Sequence, residues 1–194
     1  MKEIIKFPNK ILRKKTEKIE KIDETLLKEI EELREILAAA ENGAGLAAPQ
    51  IGISKSFLGI KSKDGVKILI NPRMEASFGE KTYPKIIDEE NKEGDFLEGC
   101  LSFPDLFGTV KRYLKIKVIW EEIVETGNPP KTKVLRRASQ ILEGFEAIVW
   151  QHESDHLEGV LFVDRVKEEV GKLYLWIDDK KILVDVKQII AKEK

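Results

Sequence analysis

The sequence predicts one compact domain that mixes helix and strand, and three patterns carry that expectation. Apolar residues recur at helical spacing after Asp23, several later runs alternate apolar with polar side chains, and a late segment sets His152 and His156 four residues apart. With 194 residues, 42% of them apolar, the chain suits a single hydrophobic core. Charged residues reach 36%, yet 34 basic against 35 acidic side chains leave a net charge of −1. That balance offers no basic footprint for a direct nucleic-acid site. The runs Arg13-Lys14-Lys15 and Lys18-Ile19-Glu20-Lys21 read as solvated faces. No stretch is apolar over the length that a signal peptide or membrane span needs. One cysteine cannot form an internal disulfide, and a thiolate ligand needs a reducing environment, so the cytoplasm is the expected compartment.

Residues 1–21 read as an extended arm, because Pro8-Asn9 interrupts any helix before Ile11-Leu12-Arg13. Asp23 reads as an N-cap, after which Leu26, Ile30, Leu33 and Leu37 mark one face of a helix of about five turns that Asn42-Gly43 stops. Strands are expected over residues 57–61 and 66–70, the second ended by Asn71-Pro72. Residues 73–95, polar and broken by Gly79, Pro84 and Gly94, read as a long connection with room for a short hairpin. Leu114, Ile116, Val118 and Trp120 alternate with Lys115, Lys117 and Ile119 in a long strand. Gly127-Asn128-Pro129-Pro130 then turns the chain, and residues 134–142 form its antiparallel return. The histidine helix is expected to begin between Ser139 and Phe145 and to end at Gly159, a suitable C′ residue. Residues 173–177 and 182–186 read as a hairpin around Asp178-Asp179, followed by a short helical or frayed end.

On such a helix His152 and His156 stack on one face, where both imidazoles can reach one metal ion, and Glu153 lies close enough to act as a base. A solvated, charged helix end is the plain alternative. Against it stands Cys100, because one thiol and two imidazoles are the whole supply of such ligands in the chain. One thiolate and two imidazoles, with the fourth tetrahedral position open, make a catalytic rather than a structural donor set. Counting back from His152, Val149, Ile148 and Phe145 share the imidazole face and read as core or as a pocket wall. Residues 43–52, Gly-Ala-Gly-Leu-Ala-Ala-Pro-Gln-Ile-Gly, are too rich in small residues and too poor in charge for an ordinary surface loop. They do not read as a nucleotide loop, since no strand precedes them, no third glycine falls in place and no Gly-Lys-Ser/Thr follows. Gln50 ends the run with an amide that both donates and accepts.

Three motifs, G-x-G-x-A-A-P-Q, E-G-C-L-S and Q-H-E-x-D-H-L, stand in that order and hold the only cysteine and both histidines; together they resemble peptide deformylase. Gly144-Phe145-Glu146-Ala147 and the segment 159–165 extend the likeness over most of residues 1–165. The resemblance implies an α+β fold, with antiparallel β-sheets around a central metal-binding helix, as one catalytic domain over residues 1–194. It implies hydrolysis of the N-formyl group from the starting methionine of new polypeptides, with N-formylmethionyl nascent peptides as substrates and the ribosome as a further partner. By that match Cys100, His152 and His156 bind one divalent metal, and Glu153 is the acid/base. Gln50 and the backbone N–H of Leu101 hold the oxyanion, and Ala44, Gly45 and Gly99 pair with the substrate backbone. Fe(II) is the implied working ion, while mixed nitrogen and sulfur donors also accept Zn, Ni or Co. The chain departs from the pattern at Ser154, which replaces the usual apolar residue, in a longer connection before Glu98, and in its tail.

Two rival functions are weighed. A zincin-type metallopeptidase would draw a third ligand from downstream, yet Phe162 stands where a metzincin places its third histidine. A non-catalytic, metal-stabilised binding module would need a closed site, and no fourth Cys or His exists to close it, which leaves only an acidic fourth ligand.

Overall fold

In the computed structural model, which describes residues 2–87, 93–129, 131–178 and 180–193, the Asp23 side chain accepts the Leu26 N–H and starts α1 (Glu24–Ala39). This satisfies one of the donors that a helix start leaves unpaired. β1 (Gly45–Ala47), β2 (Phe57–Ser62) and β3 (Gly65–Phe78) follow, then the small hairpin of β4 (Lys85–Ile87) and β5 (Glu93–Asp95). β6 (Glu98–Cys100), β7 (Phe103–Gly108), β8 (Lys115–Thr126) and β9 (Thr132–Glu143) lead into α2 (Gly144–Leu157). α3 (Phe162–Glu168), the hairpin of β10 (Leu173–Ile177) and β11 (Lys180–Val184), and α4 (Val186–Ile190) complete the order.

The strands form a five-stranded sheet, β1-β2-β3-β8-β9, and a four-stranded sheet, β11-β10-β7-β6, with antiparallel neighbours throughout. β1 and β6 are therefore edge strands. Leu46, Phe57 and Ile70 join the buried stripe of α1, whereas their chain neighbours Ala47, Leu58 and Leu69 join Ala147, Trp150 and Leu157 of α2. Successive strand residues point to opposite faces, so the first three strands are covered by α1 on one side and α2 on the other. A third cluster, including Leu12, Phe103, Leu106, Phe162, Val166 and Leu173, ties the arm and α3 to the four-stranded sheet. α2 thus lies between the two sheets, an α+β arrangement around a central helix. It closes with a Schellman motif: the Gly159 N–H (φ +72°) bonds His156 O and the Val160 N–H bonds Asp155 O.

The elements follow the expected order, but β1, β6 and β7 were not expected as strands. β3 runs on to Phe78 inside the expected 73–95 connection, Val186 opens α4 rather than ending the last strand, and three further differences stand out. Asn71-Pro72 does not end β3, because the two residues oppose Trp120 alone in a bulge between the Ile70 and Arg73 pairings. Asn71 there adopts φ +47° and exchanges two side-chain hydrogen bonds with the Ile19 backbone, while the bulge removes the need for a Pro72 N–H. β11 begins at Lys180 rather than at residue 182, since Ile177 pairs with Lys180 across a tight turn at Asp178 (φ +48°). α3 was marked by no sequence signal. The expected turn at 127–130 and the Asp178-Asp179 turn fall partly outside the described residues, at positions 130 and 179. Among the described residues no helix is long and apolar enough to cross a membrane.

Candidate metal centre

The four-residue spacing brings the His152 and His156 rings to centroids 5.2 Å apart on one face of α2. β6 delivers Cys100 to them, with Sγ 3.3 Å from His156 Nε2. One donor atom from each of Cys100, His152 and His156 lies within 4.8 Å of the other two, and among the described residues no carboxylate joins the group. Cys100 is half-buried, and its sulfur lies within the three-donor cluster.

Behind the donors runs a chain of buried charges. His152 Nδ1 donates to Glu98 Oε2 at 2.9 Å, which leaves Nε2 for a metal. Arg112 grips Glu98 with two bonds, from Nε at 2.7 Å and Nη2 at 2.9 Å, and reaches Asp155 with Nη1 at 2.7 Å. Arg165 adds a bond to Asp155 Oδ1 at 2.7 Å. Gln151 tethers the helix by donating to Tyr113 O at 2.8 Å and accepting the Tyr113 N–H at 3.2 Å. Ser154 faces away from the metal, beside Met74 and Tyr113 in a separate small cavity. Arg112 went unrecognised in the sequence because its partners Glu98 and Asp155 lie 14 and 43 residues away, distances with no periodic signature. Glu98 carried one usable clue, since strand alternation places it on the side of Cys100.

A cavity of about 450 Å³ opens onto the donors between β1 and β6. Ala44, Gly45, Gly99, Cys100 and Leu101 line it from the strands and their flanks, and His152 and Glu153 line it from α2. Phe145, Ile148 and Val149 form a further wall. Ile148 and Val149 are buried, but Phe145 is 56% exposed and stands at the rim, edge-on to Phe96. His156 and Gln50 sit behind the cavity. Gln50 Oε1 accepts the Ala47 N–H at 2.8 Å, which turns Nε2 toward Ser102 Oγ at 3.2 Å and Cys100 Sγ at 3.6 Å. A Cβ on Gly45 would fall 2.5 Å from Glu153 Cγ, so the glycine is what lets the carboxyl lie against the β1 backbone. Glu153 Oε2 and His156 Nδ1 are buried without a hydrogen-bond partner.

Burial pushes the Glu153 carboxyl up to about 7, with the Cys100 and Glu98 charges adding to it and the two imidazoles opposing. Burial also opposes the Cys100 thiolate, but the charge and hydrogen bonds of His156 and His152 hold it at about 5. Burial likewise disfavours the His152 imidazolium, yet the hydrogen bonds to Cys100 and Glu98 hold it above the ordinary value. Glu98 stays below the ordinary carboxylate range despite burial, because Arg112 and His152 pair with it. A stabilised thiolate beside two imidazole nitrogens is a set of donors that favours a divalent cation in the same place. The donor set therefore fits a metal ion of the borderline-soft class.

A single-metal hydrolase is the class that this fold and site define: an open three-donor centre, a carboxyl beside it and a peptide-sized cleft. The polypeptide deformylase family matches residues 1–171, and the chain belongs to that family. It is 38% identical over 173 residues to peptide deformylase from Aquifex aeolicus (strain VF5), covering 86% of this chain and 88% of the relative. The crystal structure of peptide deformylase from Thermotoga maritima superposes with a TM-score of 0.66 at 36% identity, over 85% of this chain and 97% of that one. A Plasmodium falciparum peptide deformylase complex with inhibitor gives 0.63 at 30% identity, over 87% and 94%. The enzyme is thus metal-dependent and acts on N-formylmethionyl nascent peptides; neither the metallopeptidase nor the binding module is favoured.

Proposed function

We propose that Cys100, His152 and His156 hold the single divalent ion and that Glu153 moves the proton in formyl hydrolysis. The observation that carries this reading is the three-donor cluster beside a buried Glu153 oxygen with no partner. When bound, the ion supplies Lewis acidity that makes water more acidic and the formyl oxygen more polar. Glu153 accepts the proton of the attacking water and returns it to the departing amine nitrogen. Gln50, aligned through Ala47, donates from Nε2 to the oxygen that gains charge, and the Leu101 N–H is its second donor. Each such donor contributes on the order of 3 kcal/mol.

The substrate backbone lies extended between β1 and β6, whose outer edges are unpaired among the described strands, and pairs with Ala44, Gly45 and Gly99. Its first side chain enters the wall of Phe145, Ile148 and Val149, where a charged residue would lose several kcal/mol to desolvation. Fe(II) is the proposed working ion, with Zn, Ni or Co accepted by the same donors. The catalytic domain extends over residues 1–194, a reading supported by the pairing of β10 with β7 and by Val184, Ile189 and Ile190 packing on the third cluster. Action on nascent chains supports a cytoplasmic enzyme that works near the ribosome, and the net charge of −1 favours contacts other than to nucleic acid.

The test is metal content of anaerobically purified protein, measured with hydrolysis of a formyl-methionyl peptide. Cys100→Ser exchanges a soft thiolate for a neutral hydroxyl and should lose or alter the metal together with turnover. If the serine variant keeps full metal and full rate, Cys100 is core packing and the donor assignment is wrong.

A further inference from the structure

The five-stranded sheet ends on two edges of different kinds. β1 is three residues long and borders the cleft, whereas β9 runs for 12 residues from Thr132 to Glu143. β9 pairs with β8 without a register shift, contains no proline, and has no other described strand on its outer side. An edge of that length and regularity is a template for another strand unless a bulge, a proline or a covering element blocks it. The Gly144 N–H bonds Leu114 O, so by antiparallel alternation the even-numbered residues of β9 turn their backbone groups toward β8. Lys133, Leu135, Arg137, Ser139, Ile141 and Glu143 point theirs outward, and among the described residues no backbone group meets them.

The sequence of β9 is complementary to itself in one antiparallel register. With Ala138 of two chains set opposite each other, Lys133 faces Glu143, Val134 faces Leu142, Leu135 faces Ile141, Arg136 faces Gln140 and Arg137 faces Ser139. Residues with outward backbone groups then stand opposite one another, as a ladder requires. Opposite charges meet, apolar side chains meet apolar ones, and Ile141, 48% exposed in the single chain, gains cover. Glu143 keeps its bond to Lys115, and Arg136 and Arg137 keep Glu122 and Glu75 of their own chain, so no charge lies directly opposite its like. Moving the centre to Arg137 would set two arginines face to face, and moving it to Ser139 would set Arg136 against Leu142 and Glu143 against Leu135.

We propose that β9 is a homodimer interface, at which two copies of this chain join their five-stranded sheets edge to edge across a two-fold axis at Ala138. The contact uses the same patch on both copies, so it closes at two and leaves neither β9 edge free. Because β9 leads directly into α2, each copy sets the Thr126 end of its β8–β9 hairpin beside the start of the other's α2, where Phe145 stands at the cleft rim.

The experiment uses the metal-loaded, full-length protein. Sedimentation at rising concentration should pass from one chain mass to two. Over the same range amide exchange should slow at Leu135, Arg137, Ser139 and Ile141 and stay constant along β11, the edge of the other sheet. Ser139→Pro removes an outward N–H at an exposed site and spares the bonds to β8, so it should abolish the dimer with little change in melting temperature. Lys133→Glu and Glu143→Lys should each weaken association roughly five- to thirtyfold, because both symmetric pairs become like-charged. The double variant Lys133→Glu/Glu143→Lys should return to within about threefold of the parent. One chain mass at every concentration overturns the proposal, as does a dimer that Ser139→Pro leaves intact or whose protected amides lie outside β9. A double variant as weak as the single ones overturns the register and the interface with it. If Ser139→Pro does not fold, the exposed charge variants decide by that same criterion.

Discussion

The two long helices are held in place for different reasons. α1 buries Leu26, Ile30, Leu33, Ile36 and Leu37 and leaves Lys28, Glu31 and Glu35 exposed. Its own pattern accounts for its position, since one apolar stripe faces one cluster. α2 is buried without a break from Ala147 to Glu153, and the buried set includes Gln151, His152 and Glu153 as well as His156. A buried polar group without a partner costs roughly 1–3 kcal/mol. Most of these groups find partners on other elements, Glu98 for His152 and the Tyr113 backbone for Gln151, while Glu153 Oε2 and His156 Nδ1 remain without one. α2 thus depends on its surroundings, and Glu153, which holds one of the unsatisfied atoms, lines the same cavity as Cys100 and His152.

That contrast can be broken most strongly at Glu153. Glu153→Ala should cut hydrolysis by about 10²- to 10⁴-fold, with metal content and melting temperature held or raised, because the carboxyl is a proton carrier and a stability liability. Near-normal turnover at equal metal content would remove Glu153 from the mechanism. Next in size, Arg112→Met leaves Glu98 and Asp155 buried without their shared cation and should cost about 3–5 kcal/mol in urea unfolding. It should also weaken metal binding about 10- to 100-fold, because Glu98 then orients His152 less firmly. A loss under 1 kcal/mol would mean that α2 does not rely on this network.

On the α1 side, Leu33→Ala empties a fully buried position and should cost about 2–5 kcal/mol, with turnover per folded molecule unchanged. Altered kcat in the folded fraction would show that α1 reaches the site, contrary to its purely structural part. The smallest effect belongs to Asp23→Ala, which removes the bond to the Leu26 N–H and should lower stability by about 1 kcal/mol at constant activity. An unchanged unfolding midpoint would mean that water replaces the cap at no cost.

Periodicity by itself determined α1 and β8, because the spacing of apolar residues along one element specifies which face leaves water, while turn and cap residues marked the return of β9 and the end of α2 at Gly159. Scarcity pointed to the proposed metal ligands: with one thiol and two imidazoles in the chain, few other donor sets were possible. Motif order then pointed to the deformylase likeness and to Gln50, Gly45 and Gly99. Only the tertiary structure decided that β3 passes through Asn71-Pro72, since the bulge depends on β8 across from it and on Ile19 beside it. Only the structure joined Arg112 to Glu98 and Asp155, and set Phe107 against Trp176. Each of these pairings is a contact between elements remote in the chain. A local pattern records how one element meets water, whereas the partner of a buried charge or an aromatic ring is fixed only when the sheets close around it.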